Sequence, residues 1–366
     1  MYIKSIRLKN FRNYSEAEIT PCEGINILSG DNAQGKTNVL EAIYLCCTGR
    51  SHRTVHDKEM VKTGQDYASV HIYGTRSDGL HDVEMLLSRM EKRRVKVAGN
   101  TVSRSGELLG HITGVLFSPE DLRMIKDGPA ERRRFADMEL SQLKPSYYYA
   151  LQRYARALKQ RGALLKDISL GFAETGMLDV WDAQLAENGA QIMEARRAFI
   201  EKLALTAAEI HGIVAGNREK LSIEYAPDAV TDASGSELKG ALAELLKEAR
   251  PTDLKRLTTS VGPHRDDISV KINSMEARSF ASQGQIRTCA LSLKLSEIRI
   301  MKSETGESPV LMLDDVMSEL DPLRRRLLLG MLEGVQTFVT CTDKDDLAGA
   351  SAGRFYSVRN AIITEN

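Results

Sequence analysis

Residues 30–37, Gly30-Asp31-Asn32-Ala33-Gln34-Gly35-Lys36-Thr37, fit the pattern G-x-x-x-x-G-K-[ST]. The segment is constraining because of its neighbours. Upstream, Gly24-Ile25-Asn26-Ile27-Leu28 reads as a strand ending at a glycine turn. Downstream, Val39, Leu40, Ile43 and Leu45 to Cys47 support a helix that starts near Lys36 and meets a stop at Gly49. Strand, glycine loop and helix in that order point to an α/β fold. The glycines let backbone N–H groups turn inward around phosphate oxygens, and the helix start adds positive potential. Lys36 is then placed to bridge β- and γ-phosphates, and the Thr37 hydroxyl to ligate magnesium.

A phosphate loop needs a second strand that delivers a carboxylate to the metal. Val310-Leu311-Met312-Leu313-Asp314-Asp315 supplies an apolar run ending in two acids. Asp314 is expected on the magnesium side, acting through the ion's solvent shell. Asp315 is expected to face the attacking water, which it would orient or deprotonate. A third segment, Ser282-Gln283-Gly284-Gln285, opens an apparent helix whose Ile286, Ala290 and Leu293 share one face. Its hydroxyl and free backbone N–H groups suit a phosphate, and the same tetrapeptide also reads as a Ser N-cap on an ordinary helix.

The rest of the chain organises around these segments. Tyr2 to Leu8 alternates like a strand, and short alternating runs between Val70 and Val102, with turns at Ser77-Asp78-Gly79 and Ala98-Gly99-Asn100, predict an antiparallel sheet of hairpins. From about Arg134 to Arg250 the pattern becomes helical, with Leu151, Ala155 and Leu158 on one face and Ile192, Phe199, Leu203 and Ile210 on another. Trp181 reads as a core residue of that region. Strand character returns at Thr258 to Val261 and Ile268 to Ile272. The expected division is a discontinuous head, residues 1–134 and 253–366, around an inserted helical arm, residues 135–252.

Fifty Lys plus Arg balance fifty Asp plus Glu, so any polyanion must be met by a local patch rather than by the field of the whole protein. No run approaches the roughly 18 apolar residues of a membrane-spanning helix, and the amino end has no apolar block of the kind a secretory signal carries. The scattered cysteines Cys22, Cys46, Cys47, Cys289 and Cys341 suit reduced thiols in a cytosolic compartment.

In their order, Gly30 to Thr37, Ser282 to Gln285, Val310 to Asp315 and Ser318-Glu319-Leu320-Asp321 resemble the Walker A, signature, Walker B and D-loop segments of ABC-type ATPases. Leu8-Lys9-Asn10-Phe11-Arg12-Asn13-Tyr14 and Gly262-Pro263-His264-Arg265-Asp266-Asp267 narrow the resemblance to the RecF family of bacterial recombination mediators, related to SMC and Rad-type heads. The likeness spans essentially the whole length. It implies an ABC-type P-loop head with an antiparallel β subdomain and a short helical arm (lobe II), ATP and Mg2+ as ligands, and an ATP-dependent homodimer. Ser282 of one copy would contact the γ-phosphate held by the other, with Asp321 lining the seam. Arg12 and Asn13 would approach the nucleotide.

The resemblance also implies double-stranded DNA and single-strand/double-strand junctions as partners, RecR and RecO as helpers in loading RecA, and a cytoplasmic, nucleoid-associated location. Two basic patches could meet phosphates: Arg89, Lys92, Arg93, Arg94 and Lys96 on the hairpin sheet, and Arg153, Arg156 and Lys159 on the arm. There are departures. Asp315 stands where transporter ATPases carry glutamate, which implies slow turnover. No histidine follows Thr337-Phe338-Val339-Thr340-Cys341, so the switch position falls to Thr342 or Asp343. Phe117-Ser118-Pro119-Glu120-Asp121 is the candidate glutamine-loop equivalent. His264 and Arg265 suit either a phosphate or interface role or a structural histidine. The rival assignment is the nucleotide-binding subunit of a membrane importer, which would carry the missing histidine.

Overall fold

Alternating apolar residues from Tyr2 build strand β1 (Tyr2–Lys9), with Ile3, Ile6 and Leu8 buried. It pairs antiparallel with β2 (Glu16–Ile19). The apolar run that follows becomes β3 (Ile25–Ser29), every residue of it buried, and leads through the glycine loop into helix α1 (Lys36–Thr48). Gly49 ends α1 in the left-handed conformation at φ 71°, where glycine costs least. Hairpins β4 (Tyr67–Arg76), β5 (Gly79–Ser88), β6 (Arg94–Val97) and β7 (Asn100–Val102) follow, then β8 (Gly114–Phe117). The computed structural model describes residues 1–228, 233–342 and 353–366.

The chain divides into two compact units, Met1–Leu122 with Ala290–Asn366, and Arg123–Cys289. The second unit comprises α2 (Arg123–Lys126), α3 (Pro129–Leu143), α4 (Pro145–Ser169), α5 (Leu178–Val214), β9 (Leu221–Ala226), α6 (Gly235–Arg256), β10 (Asp267–Ile272), β11 (Met275–Glu276), α7 (Ala277–Phe280) and the start of α8 (Gln283–Thr305). It is larger than the arm expected at 135–252, because α3 and a three-stranded antiparallel sheet in the order β11-β10-β9 pack with the long helices. Strand β9 lies inside the stretch that read as helical. Residues 258–261 form no strand: Ser260 donates its N–H (2.9 Å) and hydroxyl (2.6 Å) to Asp253, and Thr259 accepts from Arg161 (3.0 Å), which holds the segment as a loop.

In α5, Ile192, Phe199, Leu203 and Ile210 are buried as expected. Helix α4 differs, since its buried line is Ala150, Tyr154, Ala157, Arg161 and Leu164 rather than Leu151, Ala155 and Leu158. Arg161 is fully buried, which is tolerable because Asp182 and Asp253 each accept from it at 2.6 Å. Trp181 is partly buried against Leu164, Leu165 and Leu178.

The first unit resumes with β12 (Val310–Leu313), α9 (Val316–Glu319), α10 (Pro322–Met331), β13 (Thr337–Cys341), β14 (Arg354–Arg359) and β15 (Ile362–Glu365). It holds two six-stranded sheets. One is antiparallel, in the order β2-β1-β4-β5-β6-β7, so the hairpin sheet includes the first strand of the chain. The other runs β15-β14-β3-β13-β12-β8 and is parallel except for its β15 edge. Its central strands are buried along their whole length, which is why they read as unbroken apolar runs. Leu40, Ile43 and Leu45 of α1 share one core with Ile6, Val70 and Ile72 of the first sheet and Leu28, Met312 and Phe338 of the second. β13 therefore lies between the strand feeding the glycine loop and the strand ending at Asp314.

Candidate nucleotide site

Two glycines in the loop are required by what surrounds them. Gly30 has φ 154°, and a Cβ there would lie 2.3 Å from the Val358 carbonyl oxygen of β14. Gly35 has φ 117° and precedes α1; a Cβ there would lie within 2.8–2.9 Å of the Asn13 side chain and the Tyr14 hydroxyl. The same two residues brace the loop. Tyr14 Oη donates to the Gly35 carbonyl (3.1 Å), and Asn13 Nδ2 donates to the Gln34 carbonyl (3.0 Å). Asn38 Nδ2 donates to Asn13 Oδ1 (2.8 Å), and Arg53 donates to Asn38 Oδ1 (2.8 Å). On the other side the Asn360 N–H donates to Gln34 Oε1 (2.6 Å). Asp31, Asn32 and Ala33 are exposed at the crest of the loop.

Lys36 is buried, and its ammonium donates to the carbonyls of Gly30 (2.5 Å) and Asp31 (3.1 Å) from beneath the loop. Thr37 Oγ1 donates to Asp314 Oδ1 at 2.8 Å, which joins the loop to the end of β12. Burial pushes the Asp314 carboxyl upward from the usual carboxylate range, partly offset by the Thr37 and Thr340 hydroxyls, while the neighbouring Asp315 raises it further. Thr340 Oγ1 also donates to Asp314 Oδ1 (2.8 Å). Asp315 adopts the left-handed conformation at φ 53°, uncommon for a residue with a Cβ, and its N–H donates to Thr340 Oγ1 (2.9 Å). A hydroxyl and a carboxylate, hard oxygen donors beside a phosphate loop, fit Mg2+: Thr37 would hold it and Asp314 would orient its solvent shell. Such an ion would neutralise phosphate charge.

Arg12 faces Glu41 of α1, donating at 2.8 and 2.6 Å, and the Glu59 carbonyl at 2.7 Å. Its connection with the loop runs through α1 and through Asn13. Glu41 is fully buried and also accepts from the Ser51 hydroxyl (2.5 Å). Burial raises its pKa, but the Arg12 and Ser51 hydrogen bonds and the Arg12 and Arg53 charges outweigh this, leaving it below the ordinary value. A depressed folded-state pKa contributes stability above the unfolded carboxylate range and loses it as pH falls through the folded value. Glu41→Gln is therefore expected to cost about 3 kcal/mol near neutral pH, read as a lower urea midpoint, and the deficit should shrink as pH falls below the ordinary glutamate range.

Ser282 and Gln285 form a reciprocal cap on α8: the Ser282 N–H donates to Gln285 Oε1 (2.8 Å) and the Gln285 N–H to Ser282 Oγ (3.3 Å). Gln283 Oε1 accepts from Lys126 (2.8 Å), and Gly284 adds no side chain between them. Asp321 caps α10, accepting from the N–H groups of Leu323 (3.1 Å) and Arg324 (3.0 Å). The Arg324 N–H lowers its pKa most. Asp121 accepts from the Ser118 N–H (2.7 Å) and lies 3.8 Å from the Lys294 ammonium, while Glu120 is exposed. Thr342 is exposed, and Asp343 lies outside the described residues.

His264 uses both ring nitrogens within its own unit. Nε2 donates to the Thr259 carbonyl (3.0 Å), so Nδ1 accepts from the Tyr154 hydroxyl (2.7 Å). With burial holding its pKa below the usual imidazole range, this is a structural histidine. Arg265 lies 3.4 Å from Asp228.

The basic residues separate by partner. Arg89 donates to the carbonyls of Gln65 (2.9 Å) and Val61 (2.9 Å), and Arg93 to that of Gly49 (2.6 Å) at the end of α1, so both pin the β5–β6 connection to neighbouring segments. Arg94 and Lys96 are exposed and paired with Glu91 (2.7 Å) and Glu84 (2.8 Å). Lys92, Arg156 and Lys159 are exposed, and Arg153 donates to Asn188 (2.8 Å). No helix among the described residues is long and apolar enough to cross a membrane.

The model of the family described as RecF/RecN/SMC N terminal domain matches residues 2–363. The DNA replication and repair protein RecF of Acetivibrio thermocellus is 46% identical over 347 residues, 94% of each chain. A solved structure of the recombination mediator protein RecF-ATP in the RecFOR pathway superposes with a TM-score of 0.93 at 39% identity, covering 100% of this chain and 97% of that one. An SMC head domain from Pyrococcus furiosus, at 15% identity and a TM-score of 0.59, shares the fold. The architecture is thus that of an ABC-type ATPase head. With identity this high across nearly the full length of both chains, the chain belongs to the RecF family.

Proposed function

We propose that this chain is an ATP-dependent DNA-binding protein of recombinational repair and replication-fork maintenance. ATP binding with Mg2+ closes two copies on gapped or junction DNA, and slow hydrolysis to ADP and phosphate releases them. In the cytoplasm, at the nucleoid, the clamped form supports RecA loading with RecR and RecO. The observation that carries this reading is the 2.8 Å bond from Thr37 to Asp314, which joins the phosphate loop to the acid-tipped strand and supports their use as the oxygen donors of a metal–triphosphate site. The similarity to RecF proteins named for DNA replication and repair supports the DNA half, and family membership sets the importer aside.

The test is fluorescence anisotropy of a gapped duplex with ATP, ADP or no nucleotide. Binding is expected to be tightest with ATP, and equal affinity in all three would overturn the reading. Charge reversal belongs at exposed positions rather than at Arg93, which holds the Gly49 carbonyl. Lys92→Glu with Arg94→Glu is expected to weaken binding about tenfold near 0.1 M salt and to lower the salt slope by about two, one per lost phosphate contact. An unchanged slope would remove this patch from the interface.

A further inference from the structure

Thr340 lies on β13, fully buried, next to both acids of the site. In register, Thr340 pairs with Leu28 of β3 while the preceding Val339 pairs with Leu313 of β12, so Thr340 stands level with the turn where Asp314 and Asp315 leave the sheet. A threonine hydroxyl has one proton and two lone pairs. Here the Asp315 N–H donates to Oγ1 at 2.9 Å. The proton has two oxygens in reach, Asp314 Oδ1 at 2.8 Å and the Leu313 carbonyl at 3.5 Å, and the shorter distance and the charge of the carboxylate assign it to Asp314. Thr37 donates to the same Oδ1, so this oxygen receives two hydroxyls and Oδ2 receives neither.

We propose that Thr340 is a positioning residue of the nucleotide site: its hydroxyl fixes the Asp314 carboxylate and locks the left-handed turn at Asp315 at once. This rests on the reading of the site as one for Mg2+ and ATP. Asp315 at φ 53° is held in a costly conformation, and the bond from its N–H to Thr340 is what opposes relaxation. Without the hydroxyl, the Asp314 carboxylate keeps only the Thr37 donor, and the Asp315 N–H loses its acceptor. Residues that orient a metal-side carboxylate act on metal affinity and on turnover together. No sequence pattern marks this role, because Thr340 lies within the apolar run Phe338 to Cys341 and meets the acids only through sheet pairing.

The test compares native protein, Thr340→Val and Thr340→Ser. Val keeps the branched shape without the hydroxyl, and Ser keeps the hydroxyl. Binding of a fluorescent N-methylanthraniloyl-ATP is titrated in EDTA and across Mg2+ concentrations, with ATP turnover measured in parallel. For Thr340→Val we expect unchanged affinity in EDTA, a Mg2+ midpoint raised about tenfold and kcat lowered about tenfold at constant KM. Thr340→Ser should restore both. A Val variant with native Mg2+ midpoint and turnover overturns the proposal, as does a loss of affinity equal in EDTA and in Mg2+, which would mark a general structural defect. If native protein binds Mg2+ and nucleotide without turnover, the hydrolytic reading fails, and the Mg2+ midpoint still decides the role of Thr340. If native protein binds no nucleotide, both fall.

Discussion

Lys36→Met is expected to abolish measurable ATP binding while leaving the fold intact. The ammonium is buried beneath the loop and satisfied there by the Gly30 and Asp31 carbonyls. On the proposed reading it would exchange these for phosphate oxygens in the bound form, and charge-assisted hydrogen bonds contribute about 1.5–3 kcal/mol each. Losing two such bonds weakens binding by about 100-fold or more. Methionine keeps the length of the side chain, and the two carbonyls it abandons lie in a loop with an exposed crest, so the thermal midpoint should move little. Lys36→Arg should not rescue, because a planar guanidinium cannot take the place of a compact ammonium under a tight loop. Isothermal calorimetry with ATP in EDTA and in Mg2+ separates the roles: Lys36→Met should lose heat in both, whereas Thr37→Val should lose only the Mg2+ increment. Native-like binding by Lys36→Met would mean that triphosphate does not occupy this loop.

The elements that sequence discloses most plainly here are those whose cause is local. The glycine loop, the Gly49 stop and the buried runs of β3, β12 and β13 each follow from adjacent residues. What stayed hidden depends on contacts distant in the chain. Thr340 reaches Asp314 through pairing of β13 with β12, and Glu41 reaches Arg12 across 29 positions. The buried face of α4 was misplaced because counting aliphatic side chains overlooks Tyr154 and Arg161, which are buried with their polar groups satisfied by His264, Asp182 and Asp253. The strand expected at 258–261 gave way to side-chain bonds from Asp253 and Arg161, a competition that β-propensity does not register. Arg93, counted among cations for DNA, has a structural partner in the Gly49 carbonyl that only the fold reveals.

Mass measured by light scattering should double when ATP is added to the native chain, and should not with ADP or with no nucleotide. The physical requirement is differential: a ligand shifts a monomer–dimer equilibrium only through contacts made in one state and not the other, and the γ-phosphate is the group that ADP lacks. Ser282 is suited to that contact without giving up its cap. Its oxygen accepts from the Gln285 N–H, which leaves the hydroxyl proton to donate outward, and the start of α8 adds positive potential toward an anion. Ser282→Arg replaces that small donor with a long side chain that would meet the partner's loop before the phosphate could be reached. It removes an N-cap at a cost of about 1 kcal/mol, too little to unfold the unit. This variant should therefore bind ATP as a monomer, while Lys36→Met should fail at the earlier step and bind none. The two defects fall on opposite sides of the same interface, so an equimolar mixture of the two variants should recover partial dimer, one composite site being intact. A native chain that stays monomeric with ATP, or variants that dimerise as well as native, would remove the shared triphosphate from the mechanism and leave the phosphate loop as a site within one copy.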